Sequence, residues 1–272
     1  MNWSTDAQLA IKAARQGGEV VMKLYHKMVT YELKNDNSPV TEADIQSNGI
    51  IGDILATGDY PILTEEGVDD VSRLDAESVW VVDPLDGTTE FVNRTDEFTV
   101  MISLVKKGVP VVGVIDSPNE GSTYVAELGR GAFVYNGGMW KQIRTSQISD
   151  ISQSRVLVSR THNPVLERDF VRRLQVNSLQ SKGSSLKAVA VSSGEADAYL
   201  TFSNRIKEWD TAASHCILHE AGGMMTDMQG CRLMYNQADV CHSNGILATN
   251  GHIHGYMVEH YNKLRDLRKP TS

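Results

Sequence analysis

The sequence predicts a layered α/β fold, and three features predict it. The first half of its 272 residues reads as two helices followed by an antiparallel meander. The second half alternates strands and helices to its end. No linker, low-complexity segment or internal repeat divides them. Length alone allows one large domain or two modest ones. Continuity favours a single domain over 1–272, with subdomains at about 1–145 and 146–272.

Residues Thr5 to about Lys27 carry Leu9, Ala13, Val20 and Leu24 at roughly helical spacing, with Ser4, Thr5 and Asp6 as capping groups. The polar stretch KNDNSPVTEAD follows, and Pro39 prevents a continuous helix there. IQSNGIIGDIL is helix-like despite two glycines. VWVV, from Val79, is a short apolar strand that stops at Asp83 and Pro84. FTVMISLV and VPVVGVID flank Lys106, Lys107 and Gly108 as one hairpin, and STYVAEL and GAFVYNG flank Gly129 and Arg130 as another. In the second half RVLVSR, DAYLTF, GGMMTDM and GILATN read as strands. PVLERDFVRRL, SSLKAVAVSSG, WDTAASHCILHEAGG and HIHGYMVEHYNKLRDL read as helices, the third closed by a glycine pair.

Composition narrows the function classes. A formal charge of −8 argues against generic nucleic-acid binding, which needs a basic face. Cys216, Cys231 and Cys241 lack C-x-x-C spacing, which argues against a disulfide framework and fits a reducing compartment. MNWSTDAQLA has no basic region followed by an apolar stretch, and apolar runs are strand-sized. The expectation is a soluble, cytoplasmic protein without a transmembrane segment. The basic tail KLRDLRKPTS reads as a solvated helix end, with weak peripheral contact with the cytoplasmic membrane face as the alternative. No Walker-type or G-x-G-x-x-G loop is present.

The chemistry concentrates in WVVDPLDGTTEFVNRTDEFTV. Asp83 and Asp86 follow an apolar strand, the place where α/β proteins gather ligands. Gly87 lets backbone approach a ligand, and a helical turn starting at Thr88 and Thr89 would aim amides outward as a phosphate cradle. Acidic groups beside an anion cradle make sense with cations between them. The alternative for this segment alone is a capped turn, because Asp-Gly is common in turns. Glu65 and Glu66 follow the apolar run PIL, Asp210 begins the WDTAA helix, and Asp44 ends SPVTEAD in what reads as a mobile loop. Singly, each is more often a solvated carboxylate or a cap. Together they offer only oxygen donors, which select Mg²⁺ or Mn²⁺ over zinc. His215 and His219 sit four apart without a third ligand and read as helix surface or core.

SPVT-x-AD, the Glu-Glu pair, DPLDGTTEF, WDTAA and EAGG occur in the order of the inositol monophosphatase superfamily, which the chain resembles over nearly its whole length, GRGAFVYNG included. The resemblance implies an alternating α-β-α-β-α sandwich like that of inositol monophosphatase and fructose-1,6-bisphosphatase. It also implies Mg²⁺-dependent, Li⁺-inhibited phosphomonoester hydrolysis with two or three Mg²⁺ ions, Mn²⁺ able to substitute. KNDNSPVTEAD, DGTTEF with EFTV, SRTH and GSSLK look most like bacterial 3′(2′),5′-bisphosphate nucleotidases of the CysQ type. Inositol enzymes typically carry a glutamate a few residues before WD that contacts the inositol ring. Here 198–207 contains none, and Glu208 lies too close to Trp209 to be its equivalent. Glu90 follows DGTT, where inositol enzymes usually have Asn.

By resemblance, Glu65, Asp83, Asp86, Asp210 and the Leu85 carbonyl are metal ligands, and Gly87 and Thr88 bind phosphate oxygens. Asp44 and Thr88, with Glu65, are the catalytic set that activates water. Several of these (Glu65, Leu85, Asp86, Gly87, Thr88 and Asp210) also touch substrate. Ser159, His162, Ser184 and Lys187 occupy the positions for the remainder of the substrate, Arg160 is a nearby alternative, and Lys187 reads equally as a solvated helix lysine. The implied reaction is hydrolysis of adenosine 3′,5′-bisphosphate to AMP and phosphate, with the sulfated analogue a further substrate. Inositol 1-phosphate or another sugar phosphate is the alternative, and a non-catalytic metal- or nucleotide-binding regulator a more distant one. Homodimers occur among relatives.

Overall fold

Two sheets and three helical layers place the loops of the acidic motifs side by side. The structure, a computed structural model, describes residues 1–27, 30–34, 38–160 and 165–267. In chain order the helices are α1 (Thr5–Tyr25), α2 (Glu42–Leu55), α3 (Thr88–Val92), α4 (Val165–Leu174), α5 (Leu186–Ser192), α6 (Ala212–Glu220) and α7 (His254–Leu267). The first strands are β1 (Tyr31–Leu33), β2 (Pro39–Thr41), β3 (Ile62–Thr64) and β4 (Ser78–Asp86). The meander continues as β5 (Thr99–Lys106), β6 (Val109–Ser117), β7 (Ser122–Glu127), β8 (Gly131–Asn136) and β9 (Met139–Ile143). The second half adds β10 (Arg155–Ser159), β11 (Ser178–Lys182), β12 (Ala198–Thr201), β13 (Met224–Thr226) and β14 (Ile246–Thr249).

β3 to β9 lie in sequence order in a seven-stranded sheet, antiparallel except for the parallel β3–β4 pair. The second sheet has the order β11-β10-β12-β14-β13 and begins with parallel pairs, while β1 and β2 form a separate hairpin. Side-chain alternation along β5 shows why the sheet needs helices on both faces. Val100, Ile102 and Leu104 join the core built on α1 and α2. Met101 points the other way, into the core with Ala213, Cys216 and Ile217 of α6. On the second sheet, Leu157 packs toward α5, whereas Val156 and Val158 pack toward Phe170 of α4 and Met257 of α7. The layers are therefore α1/α2, first sheet, α5/α6, second sheet, α4/α7, as the sandwich expectation requires.

Three local readings change. The strand from VWVV does not stop at Asp83 but runs to Asp86 through a shift in register. α6 begins at Ala212, so Asp210 lies in the turn before it, its carboxylate accepting from the Lys207 amide. Asp44 belongs to no loop. It is the third residue of α2, in a capping box with Thr41, and almost wholly buried. β9 and β11 carry no alternating apolar pattern and were not foreseen; both are edge strands, where half-exposed polar side chains are tolerated.

Candidate active site

β4 delivers two carboxylates to one place through an irregularity. Asp83 pairs with Met101 and Asp86 with Thr99, so three steps on β4 match two on β5, a one-residue bulge. In a regular strand, residues three apart point to opposite faces. The bulge cancels one step and turns both aspartates into the same cavity. Pro84, which has no amide to donate, sits where ladder pairing lapses, and its carbonyl accepts from Ser47 of α2 at 2.9 Å. Gly87 follows at φ +94°, where a Cβ would lie 2.9 Å from the Glu97 carbonyl and 3.1 Å from Ser184 Cβ, so both conformation and space call for glycine.

The cavity has a volume of about 600 Å³, within the range of small-molecule sites. Glu65, Asp83, Leu85, Asp86, Gly87, Thr88, Ser159, Ser184, Lys187 and Asp210 all line it. His162 falls outside the described residues. Asp44 stands behind Thr88, whose Oγ1 lies 2.9 Å from Asp44 Oδ1 and 3.1 Å from the Leu85 carbonyl. The other Asp44 oxygen accepts from the Thr41 amide at 2.7 Å and the Thr41 hydroxyl at 2.6 Å.

The donor set fits hard cations on two counts. Each aspartate has one oxygen fixed by a backbone amide: Asp83 by Leu85, Asp86 by Ser185, Asp210 by Lys207. The second oxygen of each makes no hydrogen bond among the described residues. Burial, then repulsion from Glu65 and Asp86, raises the carboxyls of Asp83 and Asp210, with Asp210 adding to the repulsion on Asp83. Such a cluster is stabilised when divalent cations replace the missing positive charge. Among the described residues no three Asp, Glu, His or Cys side chains close into a ready-made cage. The donors instead line a common wall, and Lys34 Nζ rests 2.8 Å from Glu65 Oε1 and 2.5 Å from Glu66 Oε1. Burial weakens the Lys34 ammonium, but those two carboxylates hold its basicity above the ordinary lysine value.

Several supporting residues escaped the sequence reading. Thr99 Oγ1 reaches Asp86 at 3.3 Å and Ser185 Oγ at 2.7 Å. Glu97 accepts two bonds from Arg160, each 2.9 Å, and one from the Gly183 amide at 2.7 Å, fixing the turn that carries Ser184 and Ser185. Lys187, already a candidate in the sequence, is buried and so is not a solvated helix lysine; it donates to the Ser184 carbonyl at 2.5 Å. Burial lowers its pKa against the opposing pull of Asp86, Glu90, Glu97 and Asp210. Arg205 and Lys207 also line the cavity, and only the basic run before WD could have signalled them. His215 is core, its Nδ1 lying 2.9 Å from the Tyr235 hydroxyl.

A layered α/β fold with bulge-paired aspartates, a cavity-lining threonine bonded to a buried aspartate and oxygen donors for a metal defines a metal-dependent phosphatase class. The chain belongs to the inositol monophosphatase family, whose model matches residues 2–265. It is 37% identical over 237 residues to a 3′(2′),5′-bisphosphate nucleotidase CysQ of Aggregatibacter actinomycetemcomitans, covering 85% of this chain and 88% of that one. Among solved structures, the Thermotoga maritima IMPase superposes with a TM-score of 0.82 at 28% identity, over 97% of this chain and 99% of that one. CysQ from Bacteroides thetaiotaomicron gives 0.79 at 33% identity, over 91% and 98%. The protein is accordingly a phosphatase of a metal-dependent family. No helix among the described residues is long and apolar enough to cross a membrane.

Proposed function

We propose that the protein hydrolyses the 3′-phosphate of adenosine 3′,5′-bisphosphate, giving AMP and phosphate with Mg²⁺ as cofactor. The observation that carries this choice over inositol phosphates is the 202–209 loop. The sole carboxylate in it before Asp210 is Glu208, which accepts from the Asn236 amide at 2.6 Å and the Gln237 amide at 2.8 Å and does not line the cavity. No acidic group there is available to a polyol hydroxyl, and the loop presents Arg205 and Lys207 instead. The relatives named as bisphosphate nucleotidases point the same way.

Glu65, Asp83, Asp86, Asp210 and the Leu85 carbonyl would hold the metal. Bound Mg²⁺ supplies charge neutralisation on the phosphoryl group and a lowered pKa for water. The chain's own contribution begins with position. The free oxygens of the three aspartates are pre-aimed because their partners are pinned by backbone amides, so little reorganisation accompanies binding. Gly87 and Thr88 amides receive phosphoryl oxygens. Thr88 Oγ1 donates to Asp44 Oδ1, which leaves its lone pairs to accept a proton from the attacking water as its own proton shifts to Asp44. Burial raises the Asp44 carboxyl, making it a better acceptor for that proton.

Phosphate release from adenosine 3′,5′-bisphosphate, its sulfated analogue and inositol 1-phosphate, with and without Mg²⁺ and with added Li⁺, tests the reading. Mg²⁺-dependent, Li⁺-sensitive turnover fastest on the bisphosphate is expected, consistent with clearance of a by-product of sulfate assimilation. Faster turnover of inositol 1-phosphate would move the specificity and leave the metal chemistry in place.

A further inference from the structure

A substrate with two phosphates needs a cation for the one that is not cleaved, placed away from the carboxylate wall. The described lysines around the cavity have other duties. Lys34 is paired with Glu65 and Glu66 at 2.8 and 2.5 Å. Lys187 is buried, donates to the Ser184 carbonyl at 2.5 Å, lies 5.1 Å from the centre of the Tyr199 ring, and faces the anionic wall. Lys207 holds its ammonium 3.1 Å from Cys241 Sγ. Arg160 is not a lining residue, and its guanidinium is engaged by Glu97 through two 2.9 Å bonds. Arg205 differs from all of these. It is exposed at the rim, and among the described residues its guanidinium makes neither a hydrogen bond nor an ion pair.

We infer that Arg205 receives the uncleaved phosphate and is the residue that distinguishes bisphosphorylated from monophosphorylated substrates; this rests on the nucleotidase reading above. A guanidinium presents a planar fork that matches two phosphate oxygens, and it stays charged at every working pH. The loop that carries it is anchored on both sides. The Arg205 amide donates to Ser203 Oγ at 3.2 Å. Two residues on, the Lys207 amide donates to Asp210 Oδ2 at 2.6 Å, and Lys207 pairs with Cys241 in an isolated bridge. The loop's register is therefore tied to a carboxylate of the wall itself, so the rim arginine and the cleavage centre are held at a fixed separation. Being exposed, Arg205 gives up little structure when replaced, which separates recognition from folding.

The test compares adenosine 3′,5′-bisphosphate with adenosine 3′-phosphate, which lacks the second phosphate, in wild type, R205Q and R205K. A charge-assisted bidentate contact predicts that R205Q lowers kcat/KM on the bisphosphate by about 10- to 100-fold, mainly through KM. The monophosphate should change by less than about twofold, since it never used the contact. R205K should recover part of the loss, because it restores charge without the fork. AMP, which retains only the uncleaved phosphate, should become a weaker product inhibitor of R205Q by the same factor as the bisphosphate KM rises. A wild-type preference for the bisphosphate that survives in R205Q overturns the Arg205 assignment alone. Equal losses on both nucleotides do the same. Wild type that turns over the two nucleotides equally, or favours inositol 1-phosphate, overturns the subsite and the nucleotidase reading together.

Discussion

Asp86 and Thr88 stand two residues apart and fail in different ways when changed. Asp86 has one oxygen fixed by the Ser185 amide and the other turned to the cavity. Asp86→Asn keeps the size and an acceptor for Ser185 but removes an anionic donor. Turnover should drop by more than about 100-fold, the upper reach of changes made one shell further from a metal, while the fold survives. Circular dichroism and phosphate release read the two halves of that statement, and near-normal turnover at saturating Mg²⁺ would remove Asp86 from the ligand set. Thr88→Val keeps the shape and loses the hydroxyl that joins the cavity to Asp44. Proton-transfer partners contribute about 10²- to 10⁴-fold, so kcat should fall within that range while the Mg²⁺ concentration for half-activity stays near wild type. An equal shift in both would make Thr88 a metal-site residue and leave Asp44 without its route to water. Neither role could be separated from the motif alone. DPLDGTT announces a site, but the capping box that buries Asp44 and aims it at Thr88 joins parts of the chain 44 residues apart.

α1 and α2 show how an element's packing reaches the site. Gly17 of α1 lies against α2 so closely that an added Cβ would stand 2.8 Å from both Ser47 Oγ and Ile51 Cδ1. Ser47 in turn holds the Pro84 carbonyl, inside the β4 bulge, and Asp44 sits one turn earlier on the same helix. A larger residue at position 17 pushes on the scaffold of the catalytic pair. Gly17→Val should cost about 1–3 kcal/mol in overpacking and lower kcat as well. Gly49, on the open face of α2, has nothing within 4 Å of its Cβ position. Gly49→Ala should therefore stabilise by about 0.5–1 kcal/mol through helix propensity and leave kcat unchanged. Urea midpoints with matched kinetics check the pair; two shifts of the same sign would show that the α1–α2 contact is not what position 17 reports. The contrast also explains what was legible. Both glycines of α2 weakened its helical signal, yet the helix forms because Ala43, Ser47, Ile51 and Leu55 bury a continuous stripe. The one-residue bulge that aligns Asp83 with Asp86 left no mark on hydrophobic periodicity, since VWVV and the DP turn read alike with or without it.

Across the whole molecule, a layered α/β arrangement was legible because strands such as β4 and β5 read as apolar runs that need cover on both faces. The five-layer order came instead from the resemblance to the inositol monophosphatase superfamily. The edge strands β9 and β11 and the 202–209 loop were not legible, being polar segments, the loop placed by its contact with Cys241 further along the chain. Stability carries the same division between scaffold and site. The acidic wall is a store of repulsion in the folded state alone, so Mg²⁺ should raise the unfolding midpoint, and at 100 times its Kd the gain is about 2.7 kcal/mol. Asp116 is a buried carboxylate of β6 that faces α1 beside Gly18, accepting from Thr123 at 2.8 Å, with its pKa pushed up to about 6 by burial, despite Thr123 and the attraction of Arg15. Its folded-state pKa exceeds the unfolded value, so the folded chain holds the extra proton between them. The stability this supplies is complete below about pH 4 and is lost as pH rises through about 6. Asp116→Asn keeps the Thr123 bond and has no charge to bury. At pH 8 it should be more stable than wild type by as much as about 2–3 kcal/mol, with the advantage vanishing near pH 4. Urea unfolding of both proteins without divalent metal, at several pH values, checks the sign directly. An advantage that grows toward acid pH would mean that Asp116 is ionised and paired in the native state, with Arg15 outweighing burial.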